Sequence, residues 1–96
     1  MAATARRSRK PSESIIPKDA LAKEVARILD KEGLTQTEAA WRAKDAPSQI
    51  SLVVNGKIRG FSSERLLRML TNLGRDVDIV IRKSKNGGGK VRLAVK

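Results

Sequence analysis

The sequence predicts a mainly α fold of four helices over residues 17–96, closed by a C-terminal β-hairpin over about residues 75–96 and preceded by a flexible basic arm at residues 1–16. Three observations carry this. Apolar residues recur at helical spacing in four segments bounded by helix start and stop signals. Two of these, between Leu34 and Lys57, are short and joined by a tight turn. After Gly74 the apolar period changes from 3.6 to 2.

The arm combines small residues, Arg6, Arg7, Arg9 and Lys10, two serines around Glu13 and a proline, a composition that buries too little surface to order itself. It reads either as a solvated tail or as a segment touching phosphates or a partner protein, with Ile15 and Ile16 its only apolar anchors. The first helix runs from about Pro17 to Glu32. Leu21, Val25, Ile28 and Leu29 form its apolar stripe, Pro17 can take its first position, Asp19 complements the dipole, and Gly33 ends it.

The second helix has a mechanistic start signal, because Thr35 can accept from a first-turn N–H while Glu38 reaches back to the Thr35 N–H. Ala39, Ala40 and Ala43 share one face, small enough for another helix to approach closely. Trp41 points away from them, either packed under the arm or a connecting loop or exposed as a partner contact. The third helix opens at Pro47, whose fixed φ and missing N–H suit a first helical position, and closes at Asn55-Gly56. Ile50, Val53 and Val54 face inward, leaving Ser48, Gln49, Ser51, Leu52 and Asn55 outside. Short hydrogen-bonding side chains on the outer face of a helix are what a DNA major groove admits.

After the basic connection Lys57-Ile58-Arg59-Gly60, Phe61 and the N-cap Ser62 precede a fourth helix with Leu66, Met69, Leu70 and Leu73 on one face and Leu67 beside it; Gly74 stops it. Val77, Ile79 and Ile81 then alternate with Asp78, Val80 and Arg82, and Val91, Leu93 and Val95 with Arg92, Ala94 and Lys96. These read as two strands around the loop 83–89. The loop is no phosphate-binding P-loop, because Gly89-Lys90 is followed by Val91 and the first glycine of that motif is missing. A lone hairpin is marginal in water, so its apolar face needs the helices beneath it or a second subunit.

Composition narrows the function. Ninety-six residues make one small domain, and a net charge of +11 from 21 Lys and Arg against 10 Asp and Glu implies an acidic partner, nucleic acid first. With no Cys and no His, thiolate sites, the commonest general base and the commonest metal ligand are absent; no cofactor and no enzymatic activity are expected. Ser48 or Ser51 with Lys44 could be drawn as nucleophile and base, but no oxyanion donor or second acid accompanies them. No apolar run approaches the ~20 residues of a membrane span, so a cytoplasmic location and no membrane partner are expected.

The segment LTQTEAA, the polar dipeptide Ser48-Gln49, Ser51 and then Asn55-Gly56-Lys57 resemble the Cro-like or xenobiotic-response-element (XRE) family of helix-turn-helix repressors, over roughly residues 18–82. The later GKIRGFSSERLLRML and LGRDVDIVI are similar to its HigA-like antitoxin branch. Where the family usually carries Leu-Gly-Val in the turn, this chain has Ala43-Lys44-Asp45, which puts a non-glycine residue where positive φ is expected, at a cost of order 1 kcal/mol.

The resemblance implies a four-helix Cro/phage-repressor-like domain that binds palindromic double-stranded operator DNA as a homodimer. Ser48 and Gln49 would meet base edges, with Gln49 suited to a bidentate pair with adenine. Ser51 and Leu52 would line the groove, Gln36 and Asn55 would fix phosphates, and Lys57 and Arg59 would supply charge to the backbone. Val77, Ile79 and Ile81 are the expected dimer interface. As an antitoxin the chain would also bind a RelE/HigB-like toxin and repress its own operon. The alternatives are a stand-alone phage-type repressor and a basic RNA-binding protein, the latter disfavoured because only Trp41 and Phe61 could stack on bases.

Overall fold

The structure is a computed structural model describing residues 15–96. The expected basic arm therefore lies outside the described residues, apart from Ile15, which is exposed, and Ile16, which packs against the core. Four helices follow in order: α1 (Lys18–Glu32), α2 (Gln36–Ala43), α3 (Pro47–Val54) and α4 (Ser63–Asn72). Helices α1 and α2 each pack against both α3 and α4.

Their boundaries follow local chemistry. Pro17 is the N-cap of α1, one position earlier than the sequence suggests, with its carbonyl accepting the Leu21 N–H at 3.1 Å. The Lys18 ammonium then reaches across to the Phe61 carbonyl at 2.9 Å and ties the start of α1 to the loop before α4. The α2 capping box forms as expected: Glu38 N–H donates to Thr35 Oγ1 at 3.0 Å, and Thr35 N–H donates to Glu38 Oε1 at 2.8 Å. Pro47 occupies the first turn of α3, where its missing N–H costs nothing. Ser62 caps α4 by accepting the Arg65 N–H at 3.0 Å.

All four helices stop in the same way. A residue with positive φ donates its N–H back across three residues while the next residue donates across five, the Schellman pattern that satisfies otherwise orphaned carbonyls. At α2 these bonds run from Lys44 to Trp41 (3.3 Å) and from Asp45 to Ala40 (2.9 Å). Gly33, Gly56 and Gly74 hold the positive-φ position in α1, α3 and α4; in α2 it is Lys44, at φ 59°. The sequence places that strain at Lys44, and it is there.

Leu21, Val25 and Ile28 of α1, Ala39 of α2, Ile50 and Val53 of α3, and Leu66, Met69 and Leu70 of α4 close one core with Ile58, Phe61 and Leu73. Its contents follow the expected stripes, with Val54 and Leu67 partly buried at the margin. Ala39, Ala40 and Ala43 are buried on the face of α2 that meets its neighbours. No polar or charged residue is buried among the described residues, so the core depends on apolar burial alone.

The C-terminal β-hairpin does not exist. Residues 75–96 carry no strand, and the described residues contain no β structure at all. The expected shared face is broken up: Val77 and Leu93 pack against the helical core, while Ile79 and Ile81 are 79% and 92% exposed and Val91 and Val95 stand half in solvent. Alternation is necessary for a half-buried strand but does not create the surface that buries it. The helices close over themselves, and a lone two-stranded ribbon with a glycine-rich loop lacks the apolar burial that would hold its ladder.

Candidate nucleic-acid interface

Helix α3 presents the expected residues in a defined order. At about 100° per residue, Ser48, Leu52 and Asn55 fall within about 60° of one another, opposite Ile50 and Val53. All three are exposed, whereas Ile50 and Val53 are fully buried. Ser51 lies half-buried at one side of this stripe. Asn55 turns its amide back on the helix, donating to the Ser51 carbonyl at 2.8 Å and lying 3.5 Å from Ser51 Oγ. This leaves Asn55 Oδ1 and the Ser48 hydroxyl without a partner among the described residues.

Gln49 is placed differently. It sits about 100° round from Ser48, is half-buried, and leans toward α4. Its Oε1 accepts from Arg65 Nη2 at 3.2 Å. The same guanidinium grips Asp45 in the turn between α2 and α3, with Nη2 at 2.9 Å from Oδ1 and Nε at 3.3 Å from Oδ2. It also lies over the Phe61 ring, 4.4 Å from its centroid. Asp45 in turn accepts the Ala46 N–H at 3.0 Å, at the N-cap of α3. Asn72 donates to the Ala43 carbonyl at 3.0 Å and fastens α4 to the end of α2.

Gln36 is the first residue of α2 and is exposed, with Lys57 and Arg59 exposed just beyond α3. Glu38 beside Gln36 is held below the usual carboxylate range, chiefly by the Thr35 N–H and then by the Thr35 hydroxyl and Arg42. Trp41, further along α2, is 85% exposed, so no connecting loop covers it. Val77, the first expected interface residue, is half-buried against the core, which separates it from the exposed Ile79 and Ile81.

Two short helices packed through an alanine face, joined by a three-residue turn and bearing an exposed polar stripe on the second, define the geometry of a helix-turn-helix. A family described as the helix-turn-helix domain matches residues 4–82. A solved structure named as an XRE-family transcriptional regulator is similar at 37% identity, with a TM-score of 0.69, over 79% of this chain and 85% of that one. The chain belongs to the XRE-type helix-turn-helix family. No curated protein matches it.

Within this XRE-type domain, sequence reasoning found the outer stripe but missed Arg65 and Asp45. Their pairing spans 20 residues and joins a turn to the first turn of α4. No local periodicity or cap rule signals it.

Proposed function

We propose that this chain is a DNA-binding transcriptional regulator that sets α3 into the major groove of an operator. Ser48 and Gln49 meet base edges, Ser51 and Leu52 line the groove, Gln36 and Asn55 hold phosphates, and Lys57 and Arg59 add charge to the backbone contact. The observation that carries this reading is the exposed stripe Ser48–Leu52–Asn55 on a short helix held by a buried apolar face, in a chain of net charge +11. Two copies on a palindrome would match the two-fold symmetry of such sites, with Ile79 and Ile81, but not the core-packed Val77, as the contact between them. Ile79 and Ile81 are large apolar side chains with little cover in the single chain, which supports a protein contact there.

The test is a pair of substitutions on a selected operator and on random DNA. Gln49→Ala should cost about 1–3 kcal/mol on the operator and little on random DNA, while Lys57→Ala should weaken both and reduce the salt slope by about one. Equal losses on both DNAs for Gln49→Ala would refute the base-reading role.

A second reading, the antitoxin of a toxin–antitoxin pair, adds a RelE/HigB-like toxin as partner and autorepression of the operon. The exposed Trp41 favours it, as a large aromatic available to a protein partner. Co-expression with a RelE/HigB-like toxin tests it: rescue of growth supports the antitoxin, and absence of rescue leaves a stand-alone repressor.

A further inference from the structure

We infer that Arg65 is a specificity-determining positioning residue: it fixes the orientation of the Gln49 amide and so selects which base edges α3 accepts. This rests on the reading of α3 as the recognition helix. A guanidinium has five donors and no acceptor, so the Gln49 amide facing it must turn its oxygen inward. That oxygen lies 3.2 Å from Arg65 Nη2. The two Nε2 donors of Gln49 have no partner among the described residues, and α3 therefore presents Gln49 as a donor.

Arg65 is itself immobilised from three directions. Asp45 accepts from both Nε and Nη2, Phe61 lies beneath the guanidinium plane, and the Arg65 backbone N–H is held by the α4 cap Ser62. The Asp45 carboxylate also holds the Ala46 N–H, so one ion pair couples the turn, the start of α3 and the start of α4. The Arg65 side chain is about one-third exposed and the Asp45 side chain less so, which limits competition from water.

The consequence is a change in the base code. A free Gln pairs with adenine through both oxygen and nitrogen, taking the N6 amino group and N7 together. With Oε1 turned toward Arg65, Gln49 directs its NH2 outward and donates, and the matching edges are acceptors: N7 or O6 of guanine, N7 of adenine, O4 of thymine. Adenine loses its advantage over guanine. Releasing the oxygen restores it.

The experiment selects half-sites from a randomised duplex library with the full chain and with Arg65→Met, Arg65→Lys, Gln49→Ala and the Arg65→Met/Gln49→Ala pair. Arg65→Met should change the preference at one base pair toward adenine by about tenfold, leaving the other positions and the affinity for random DNA unchanged. In the Gln49→Ala background the same change should have no effect at that base pair. Arg65→Lys keeps a donor-only cation without the fork and should hold the wild-type preference; if Arg65→Met does not fold, Arg65→Gln, whose amide can accept as well as donate, takes its place and should give the same altered preference. A uniform loss across all positions, or a preference change that persists without Gln49, would overturn the proposal. If the wild-type chain selects no sequence at all, the DNA-reading function fails instead, and the free protein decides the orientation. The Gln49 side-chain NH2 resonances should then move on Arg65→Met; unmoved resonances would overturn the positioning as well.

Discussion

Replacing Lys44 by glycine tests the turn on which α3 is mounted. Lys44 sits at φ 59°, ψ 47°, near the centre of the left-handed region, as the one non-glycine residue of positive φ among the described residues. A Cβ there costs about 1–2 kcal/mol. Glycine removes that cost but gives the unfolded chain about 0.4–1 kcal/mol of extra freedom to lose. The net gain over alanine, which keeps the Cβ and also lacks the charge, is about 0.8 kcal/mol at the middle of both ranges. The Lys44 side chain has no hydrogen bond or ion pair among the described residues, so Lys44→Ala isolates the charge, including its attraction for the C-terminal end of α2. For a domain of this size, about 1 kcal/mol moves Tm by 4–8 °C, so Lys44→Gly should melt roughly 3–6 °C above Lys44→Ala by circular dichroism. If glycine melts at or below alanine, the turn is not strained at Lys44 and the account of α2's termination is wrong.

Three further outcomes follow from the same geometry. Leu66, fully buried in α4, should cost about 2–5 kcal/mol as Leu66→Ala in urea denaturation, and a cost under about 1 kcal/mol would mean the core is not closed there. Because Glu38 has a folded pKa below its unfolded one, its stabilising contribution is present above the ordinary carboxylate pKa and is lost as pH falls through the lowered value; the stability gap between wild type and Glu38→Gln should shrink on acidification and not stay constant from pH 7 to pH 2. Trp41, being 85% exposed, should emit at long wavelength and be readily quenched by iodide in the fragment 15–96, and a blue-shifted, protected emission would contradict its placement.

The helical part of the fold was legible because each boundary is written in local chemistry. Thr35 with Glu38, Pro47, Gly33 and Gly74 act within a few residues of themselves, so neighbouring sequence suffices to read them. The same locality explains Ser48, Leu52 and Asn55, whose exposure follows from Ile50 and Val53 being inside. The C-terminal segment was misread because alternation from Val77 to Ile81 reports only that a strand could bury one face; whether a surface exists to cover Ile79 and Ile81 is a tertiary question. Gln49 lay between these cases. Its place on α3 was readable, but its grip by Arg65 depends on Asp45 and Phe61 converging from other parts of the chain, and no residue near Gln49 announces that.

The central claim, that α3 reads sequence, is tested most directly by the ratio of two affinities measured at one physiological salt concentration. The chain is titrated into a duplex selected from a random library and into the same duplex with its half-site shuffled. The account predicts a ratio of at least about 10³, the lower end for specific DNA-binding proteins. Equal affinities for the two duplexes, falling together with salt, would mean that the +11 charge binds phosphate alone and that Ser48 and Gln49 read nothing.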